Sequence, residues 1–241
     1  MVAVARLSRR ALYLQVRDAL AQRITTGEWR SGFAIPNEGD LAPEIGVSSG
    51  TVRKALQLLD EQKLITRRQG RGSFVNDLTS DELACRFIRL RTTDGKSRIG
   101  EVRSQTISEG SPNELECTRL QLRAGDGVYR IRRVRWHNGC NFMVADLTLP
   151  SALYPRLSGN ANIPTHVGAL APLNGMLIGK AQERVSICEA PFDVSELLGV
   201  APGTPVLLLD CVMFLPDTQR PAAWRIGYVY LPDGYYLSEC K

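Results

Sequence analysis

The stretch that most restricts the fold is residues 45–75, IGVSSGTVRKALQLLDEQKLITRRQGRGSFV. Gly46 supplies a tight turn, and Ser48 is a residue of the type that caps a helix by accepting a backbone N–H. Behind it Val52, Ala55, Leu56 and Leu59 recur at helical spacing and define an inward face. Ser49, Gly50, Arg53, Lys54 and Gln57 fall mainly on the other side, with Thr51 near the start. Residues 65–68 and 73–75 then alternate as two short strands around the tip Gln69-Gly70-Arg71-Gly72. Turn, capped helix and basic hairpin in this order predict a winged helix-turn-helix, a module that sets one helix in the major groove of DNA.

The elements upstream fit that reading. Leu12, Val16, Leu20 and Ile24 repeat every fourth residue, with Ala19 beside them, and Gly27 follows. They predict an amphipathic helix. A second helix is expected after Asn37, which stands three residues before Asp40 as a weak capping box, with Leu41 and Ile45 as its apolar face. Pro43 inside it removes one internal hydrogen bond, so a kink is expected. Gly50 costs about 1 kcal/mol of helix propensity against alanine, but its bare backbone permits close approach to DNA. The free N–H groups of the first turn favour phosphate. Arg71, on a glycine-rich tip, suits a narrow minor groove.

Charge is distributed to match. The chain of 241 residues has a formal net charge of +5. Residues 1–76 hold 12 basic and 7 acidic side chains, and residues 77–241 hold 18 of each. The whole positive excess lies on the segment expected to meet phosphates. The six cysteines, Cys85, Cys117, Cys140, Cys188, Cys211 and Cys240, contain no C-x-x-C pair. Only Cys140 lies near a histidine, His137, and one such pair is a poor zinc site. Scattered thiols suit a reducing compartment. No apolar run approaches the ~20 residues needed to cross a bilayer, and MVAVARLSRR is too short in apolar residues for a signal peptide. The expectation is a soluble cytoplasmic protein with no cofactor and no metal.

Beyond a polar stretch at residues 76–82 the period changes to two. Val128, Arg130, Arg132 and Val134 alternate with Tyr129, Ile131, Arg133 and Arg135, and Asn138-Gly139 is a strong hairpin signal. Residues 142–149 form the returning strand. Residues 180–187 read as another strand, and Asp193 is expected to cap a short helix ending before Gly199. Residues 206–214 form a long apolar strand, expected to be central, and residues 223–230 return after a turn at 217–221. This predicts an antiparallel sheet with helices at its edges, so the chain as a whole is α+β. The expected organisation is a winged helix-turn-helix at 1–76, a linker at 77–83 and a second domain at 84–241.

The first segment resembles the DNA-binding domain of the GntR family of bacterial regulators. The resemblance rests on LYLQVRDAL, IPNEGDLA, GVSSGTVRKAL and RRQGRGSFV. It implies DNA contacts from Ser48, Ser49, Gly50, Thr51, Arg53, Lys54, Arg67, Arg68, Gly70, Arg71 and Gly72. Gly39 and Ser49 stand where the family usually has arginine, which puts the usual family operator in doubt. The second segment resembles the UTRA effector-binding domain of the HutC branch, through VYRIRRVRWHNG, KAQERVSI, LLGVAPGTPVLLLDCV and RPAAWRIGYVY. That resemblance implies a fold similar to chorismate lyase.

The spacing puts Arg133 and Arg135 on one face of a strand. Two close guanidiniums repel unless an anion lies between them, and a carboxylate or phosphate is a good bidentate partner. The resemblance implies effector contacts from Arg133, Arg135, Thr165 and Tyr228, with Asp146 next to Ala145, where a carboxylate is expected. Ala223 replaces a second carboxylate. His166 and Trp224 read as packing residues. The function expected is a ligand-responsive transcriptional regulator, most simply a repressor of a nearby catabolic or transport operon. It would act as a homodimer on a palindromic DNA operator and respond to a small, sparsely hydroxylated organic anion. An exposed apolar strand at 206–214, or its neighbour, is expected to help form the dimer. Two other classes remain open: a chorismate lyase-like enzyme, disfavoured by the lack of any nucleophile elbow, metal cluster or phosphate loop, and a DNA binder without a ligand.

Overall fold

The computed structural model describes residues 11–77, 90–91, 100–137, 139–157, 163–164, 166–216, 220–231 and 236–237. The chain divides into two compact units, Met1–Leu78 and Thr79–Lys241. The expected linker, 77–83, lies outside the described residues from residue 78 onward.

In the first unit, α1 (Leu12–Thr25), α2 (Glu38–Ile45) and α3 (Ser49–Glu61) pack around one apolar centre. α1 buries Val16, Leu20, Ala21 and Ile24, together with Arg17. The four-residue repeat is therefore only partly a core stripe, because Leu12 is 51% exposed and Ala19 also faces solvent. Asn37 caps α2, its side-chain oxygen accepting from the N–H groups of Gly39 and Asp40. The reciprocal half of a capping box is altered, since Asp40 receives the Asn37 side-chain amide at 2.5 Å. Pro43 lies inside α2. Gly46 ends the helix at φ 76°, a left-handed conformation that glycine adopts without a Cβ clash.

Ser48 caps α3, accepting from the Thr51 N–H at 3.2 Å. Val52, Ala55, Leu56 and Leu59 are all buried, as the periodicity predicts. Full burial of a leucine such as Leu56 contributes about 1.5–3 kcal/mol. β2 (Ile65–Arg68) and β3 (Gly72–Val75) form the wing, and the short β1 (Ala34–Ile35) adds to β3, giving the order β1-β3-β2. The Arg71 N–H donates to the Arg68 carbonyl and closes the tip.

The second unit is built on a six-stranded antiparallel sheet in the order β5-β6-β7-β10-β9-β8. Its strands are β5 (Glu101–Gly110), β6 (Val128–His137), β7 (Cys140–Pro150), β8 (Lys180–Glu189), β9 (Pro205–Phe214) and β10 (Pro221–Val229). A separate pair joins β4 (Leu90–Arg91) to β11 (Tyr236–Leu237). Among the described residues three short helices accompany the sheet: α4 (Glu114–Leu120), α5 (Val167–Leu173) and α6 (Phe192–Leu198). One face carries Tyr129, Ile131, Leu147, Leu149, Cys211 and Met213, packed with Tyr154, Leu157 and the α5 residues Val167, Leu170 and Ala171. On the opposite face, α6 packs Val194 and Leu198 on Val134, Val144 and Val206. Leu120 of α4 meets Val128 and Trp224 on that same face.

Two expectations change in detail. Asp193 does not cap α6: Pro191 holds the cap position and Asp193 lies in the first turn, engaged by Arg132. β9 is an inner strand, as its long apolar run predicts, and so not the exposed strand expected to help form a dimer. It is hydrogen-bonded between β10 and β8, and the open edges of the described sheet are β5 and β8. The hairpin turn keeps Gly139 at φ 86°, while Asn138 lies outside the described residues, as does the 217–219 part of the later turn.

Candidate functional site

Two surfaces, one in each unit, carry the chemistry. On the first unit, Ser48, Ser49, Gly50, Arg53, Lys54, Arg67, Arg68, Gly70, Arg71 and Gly72 are all exposed, with Thr51 half-buried. The capped start of α3 presents N–H groups and small side chains, which lets a phosphate approach. The basic side chains are supported from below. Lys54 Nζ stands 3.9 Å from the centre of the Tyr13 ring. The Arg68 guanidinium lies 5.2 Å from that of Phe74. Arg53 Nε donates to Glu38 Oε2 at 2.7 Å, and an Arg67 terminal nitrogen donates to Glu38 Oε1 at 2.9 Å. Glu38 is a residue that sequence reasoning alone does not single out. Its signal is its place at the start of α2, beside both the α3 helix and the wing.

On the second unit, the sheet face under α5 holds two buried guanidiniums. Arg133 is 4% exposed and Arg135 5%. Arg133 Nε donates to Gln105 Oε1 at 2.6 Å, and a terminal nitrogen donates to the Pro164 carbonyl at 2.6 Å. Arg135 donates to the Gly100 carbonyl at 3.4 Å. Burial, and then the neighbouring Arg135 charge, bring Arg133 down to about 10. Ala145 stands opposite Arg133, with Gly227 one strand further. A Cβ on Gly227 would meet Met143 Cε at 2.6 Å. Further along this face, Arg225 reaches Glu183 at 2.9 Å in a buried ion pair that the sequence reading passes over.

The structure does not bring the other effector candidates to this place. Asp146 stands opposite Arg132, not Arg133, and their bidentate pair at 2.7 and 2.9 Å lies on the opposite face. Arg132 is raised above its ordinary value, by the Asp146 hydrogen bond first. Tyr228 stands opposite Val144 on that same face, half-buried beside Val134, Val194 and Val206. Burial, with help from Asp146, pushes its phenol up. Asp146 follows Ala145, and successive residues of a strand face opposite sides, so the register decides which of the two faces Arg133. Next to the hairpin turn His137 pairs with Cys140 and Trp136 with Asn141, a register that continued would set Asp146 against Ile131, on the Arg133 face. A bulge between Arg135 and Trp136 moves the register by one, and one residue is enough to exchange faces. Thr165 lies outside the described residues.

Two secondary candidates resolve as packing. His166 is buried and caps α5, its Nδ1 accepting from the Ala169 N–H at 3.2 Å. Trp224 is buried, and its indole N–H donates to Asp210 at 2.8 Å. Cys140 donates to the His137 backbone carbonyl. No cluster of three or more metal-ligating side chains occurs among the described residues. No helix among them is long and apolar enough to cross a membrane.

Comparison with known families and proteins finds relatives for both segments. Residues 12–75 match the family described as bacterial regulatory proteins, gntR family, and residues 100–230 match the UTRA domain. An HTH-type transcriptional regulator of Mycobacterium tuberculosis is 29% identical over 93% of this chain and 83% of that protein. The mannosyl-D-glycerate transport/metabolism system repressor MngR of Escherichia coli is 27% identical over 83% of this chain and 84% of its own length. The transcriptional repressor NagR of Bacillus subtilis is 27% identical over 86% and 85%. The crystal structure of PhnF from Mycobacterium smegmatis superimposes with a TM-score of 0.55 at 22% identity, covering 94% of this chain and 99% of that one. That likeness speaks for the fold.

Proposed function

From the premise that the chain belongs to the GntR family of bacterial regulatory proteins and carries that family's UTRA domain, we propose that it is a repressor released or modulated by a small organic anion. It is a transcriptional regulator and not an enzyme, as its family and its relatives are. The reading as a repressor rests on two relatives that bear that name. The first unit grips a DNA operator through the start of α3 and the wing. Arg53, Lys54, Arg67, Arg68 and Arg71 neutralise phosphates or read base edges, while Ser48, Ser49, Gly50, Thr51, Gly70 and Gly72 permit close approach. The working form is a homodimer on a palindromic operator, because a two-fold protein reads two half-sites. It works in the cytoplasm, where its DNA is, and controls a nearby catabolic or transport operon.

One observation carries the effector assignment: Arg133 and Arg135 are buried side by side on one sheet face. Each raises the electrostatic cost of the other, and an anion between them would offset both. The residues next to them are mostly small and apolar, Ala145, Gly227, Leu147 and Ala223, and the Glu183 carboxylate further along this face is already engaged by Arg225. Such a surface offers little to a polyhydroxylated body, whose unmet polar groups would each cost about 1–3 kcal/mol. The effector is therefore an anion of limited hydroxyl content. Calorimetric titration of the full chain with simple mono- and dicarboxylates and with phosphosugars tests this. Saturable binding of a carboxylate, lost in Arg133→Met, is the expected result. Tight binding of a phosphosugar with none of the carboxylates contradicts it.

A further inference from the structure

The Glu38 carboxylate sits where three elements of the DNA-binding unit meet. Glu38 is the first residue of α2, Arg53 lies on α3, and Arg67 lies on the wing strand β2. Each oxygen of the carboxylate takes one arginine, at 2.7 and 2.9 Å. Its own side chain is 20% exposed, against 67% for Arg53 and 38% for Arg67. The carboxylate is thus sheltered and the cations it holds face outward.

As a source of fold stability this arrangement is weak, because exposed ion pairs contribute little and are screened by salt. As a source of DNA affinity it is adverse, because it sets a negative charge beside the cations that meet phosphate. What it supplies is direction. A guanidinium is a flat fork at the end of a long flexible chain, and ordering it costs conformational entropy. Glu38 engages the Nε of Arg53, which fixes the plane of the fork and leaves both terminal nitrogens for another acceptor. That edge is the one used for bidentate recognition of a phosphate or a guanine. Arg67 is held through one terminal nitrogen by the same group, so helix and wing are aimed from a single anchor.

The geometry assigns Glu38 as the positioning residue for operator recognition, trading non-specific affinity for preference between sequences by orienting Arg53 and Arg67 together. This rests on the DNA-binding reading of the first unit and goes beyond it in naming what sets its selectivity.

The test uses full-length wild type, Glu38→Gln and Glu38→Ala. Each is measured on two duplexes: one enriched by the wild-type protein from a random-core pool, and one with the same core scrambled. The expected result is a loss of at least about 10-fold in preference for the enriched duplex, the scale of one misdirected bidentate contact. Scrambled-duplex binding stays equal or tightens, with a salt slope steeper by up to about one as the adverse charge is removed. In an Arg53→Ala, Arg67→Ala background the effect of Glu38→Gln on preference disappears. A purely structural role would instead lower binding to both duplexes together. Preference within about twofold of wild type, or equal losses on both duplexes, overturns the assignment while leaving DNA binding standing. Nitrogen-15 spectra of the free protein give a readout without DNA: the Arg53 Nε–H is slowed in exchange in wild type and fast in Glu38→Gln. Equal exchange in both also overturns it. Failure of the wild type to enrich any duplex is distinguishable from these, since it refutes the DNA-binding reading and the positioning role with it.

Discussion

Arginine does opposite work in the two units, and the difference is one of burial. In the DNA-binding unit Arg53, Arg68 and Arg71 stand in solvent, steadied by a carboxylate, an aromatic ring or a turn. In the UTRA unit Arg133 and Arg135 are almost fully enclosed, while Arg130 and Arg132 on the opposite face are bound into ion pairs with Glu116 and Asp146. A polyanion such as DNA is met over a broad surface by hydrated charges whose effect adds up and fades with salt. A single small anion is met in a desolvated place where two charges count heavily. On the proposed function, the same side chain would serve two ligands because the fold sets its dielectric surroundings.

The largest effect that would break this contrast is expected at the buried pair. Arg133→Met or Arg135→Met should weaken effector binding by about 2–5 kcal/mol, the usual cost of removing one partner of a buried charged contact. Operator binding without effector should stay within about twofold of wild type. A comparable loss on DNA from either variant would show that the two arginine sets are not separate in function. Arg53→Ala comes next. It should cost about 1–3 kcal/mol in operator binding and leave effector binding unchanged, as gel shift and calorimetry would show in parallel. Arg71→Ala should have a smaller effect, lowering affinity with a salt slope shallower by about one. An unchanged slope would remove the wing from the DNA surface.

Gly50 sharpens the comparison on the helix side. A Cβ there would have only Ser48 Oγ near it, at 3.9 Å, so alanine fits. Gly50→Ala should stabilise the free protein by about 0.4–1 kcal/mol and weaken operator binding. A gain in both would show that the bare backbone is not needed for approach.

The smallest effect concerns acid. Burial pushes the Glu116 carboxyl up, but the Arg130 hydrogen bonds, with the Asn113 N–H, outweigh it and hold the group below its ordinary value. A carboxyl lowered on folding contributes stability that is present above its unfolded value and is lost as pH falls through the folded one. The UTRA unit should therefore lose part of its stability below about pH 4.5, and Glu116→Gln should flatten that limb of a thermal-melt series. Arg133 runs the other way for ligand. Its charge persists below about 10, so effector affinity should be flat near neutrality and fall as pH rises past that value.

The winged unit was readable because its signals are local. Asn37, Ser48, Gly46 and the 69–72 tip each dictate a cap or a turn on their own. β5 was not readable: EVRSQTISEG is an edge strand exposed along most of its length, so it carries no alternation of apolar and polar residues. α4 carries a local signal of its own, the Asn113-to-Glu116 capping box, which is complete in the structure. The place of Arg133 and Arg135 followed from period two alone. The grouping of Asp146 and Tyr228 with them did not survive, because a single bulge beside Trp136 sets which residues of β7 and β10 face Arg133. Strand parity within one segment is in the sequence, whereas parity between segments depends on a bulge that no residue type announces.

The central claim, that one unit holds duplex DNA while the other senses a small anion, is tested most directly by anisotropy of a labelled duplex. The duplex is enriched by the full-length protein from genomic fragments and titrated with protein at rising concentrations of a carboxylate panel. The account predicts preference for that duplex over random competitor and a shift in its affinity of about fivefold or more with at least one carboxylate, absent in Arg133→Met. Binding indifferent to sequence, or a shift retained in Arg133→Met, would contradict it.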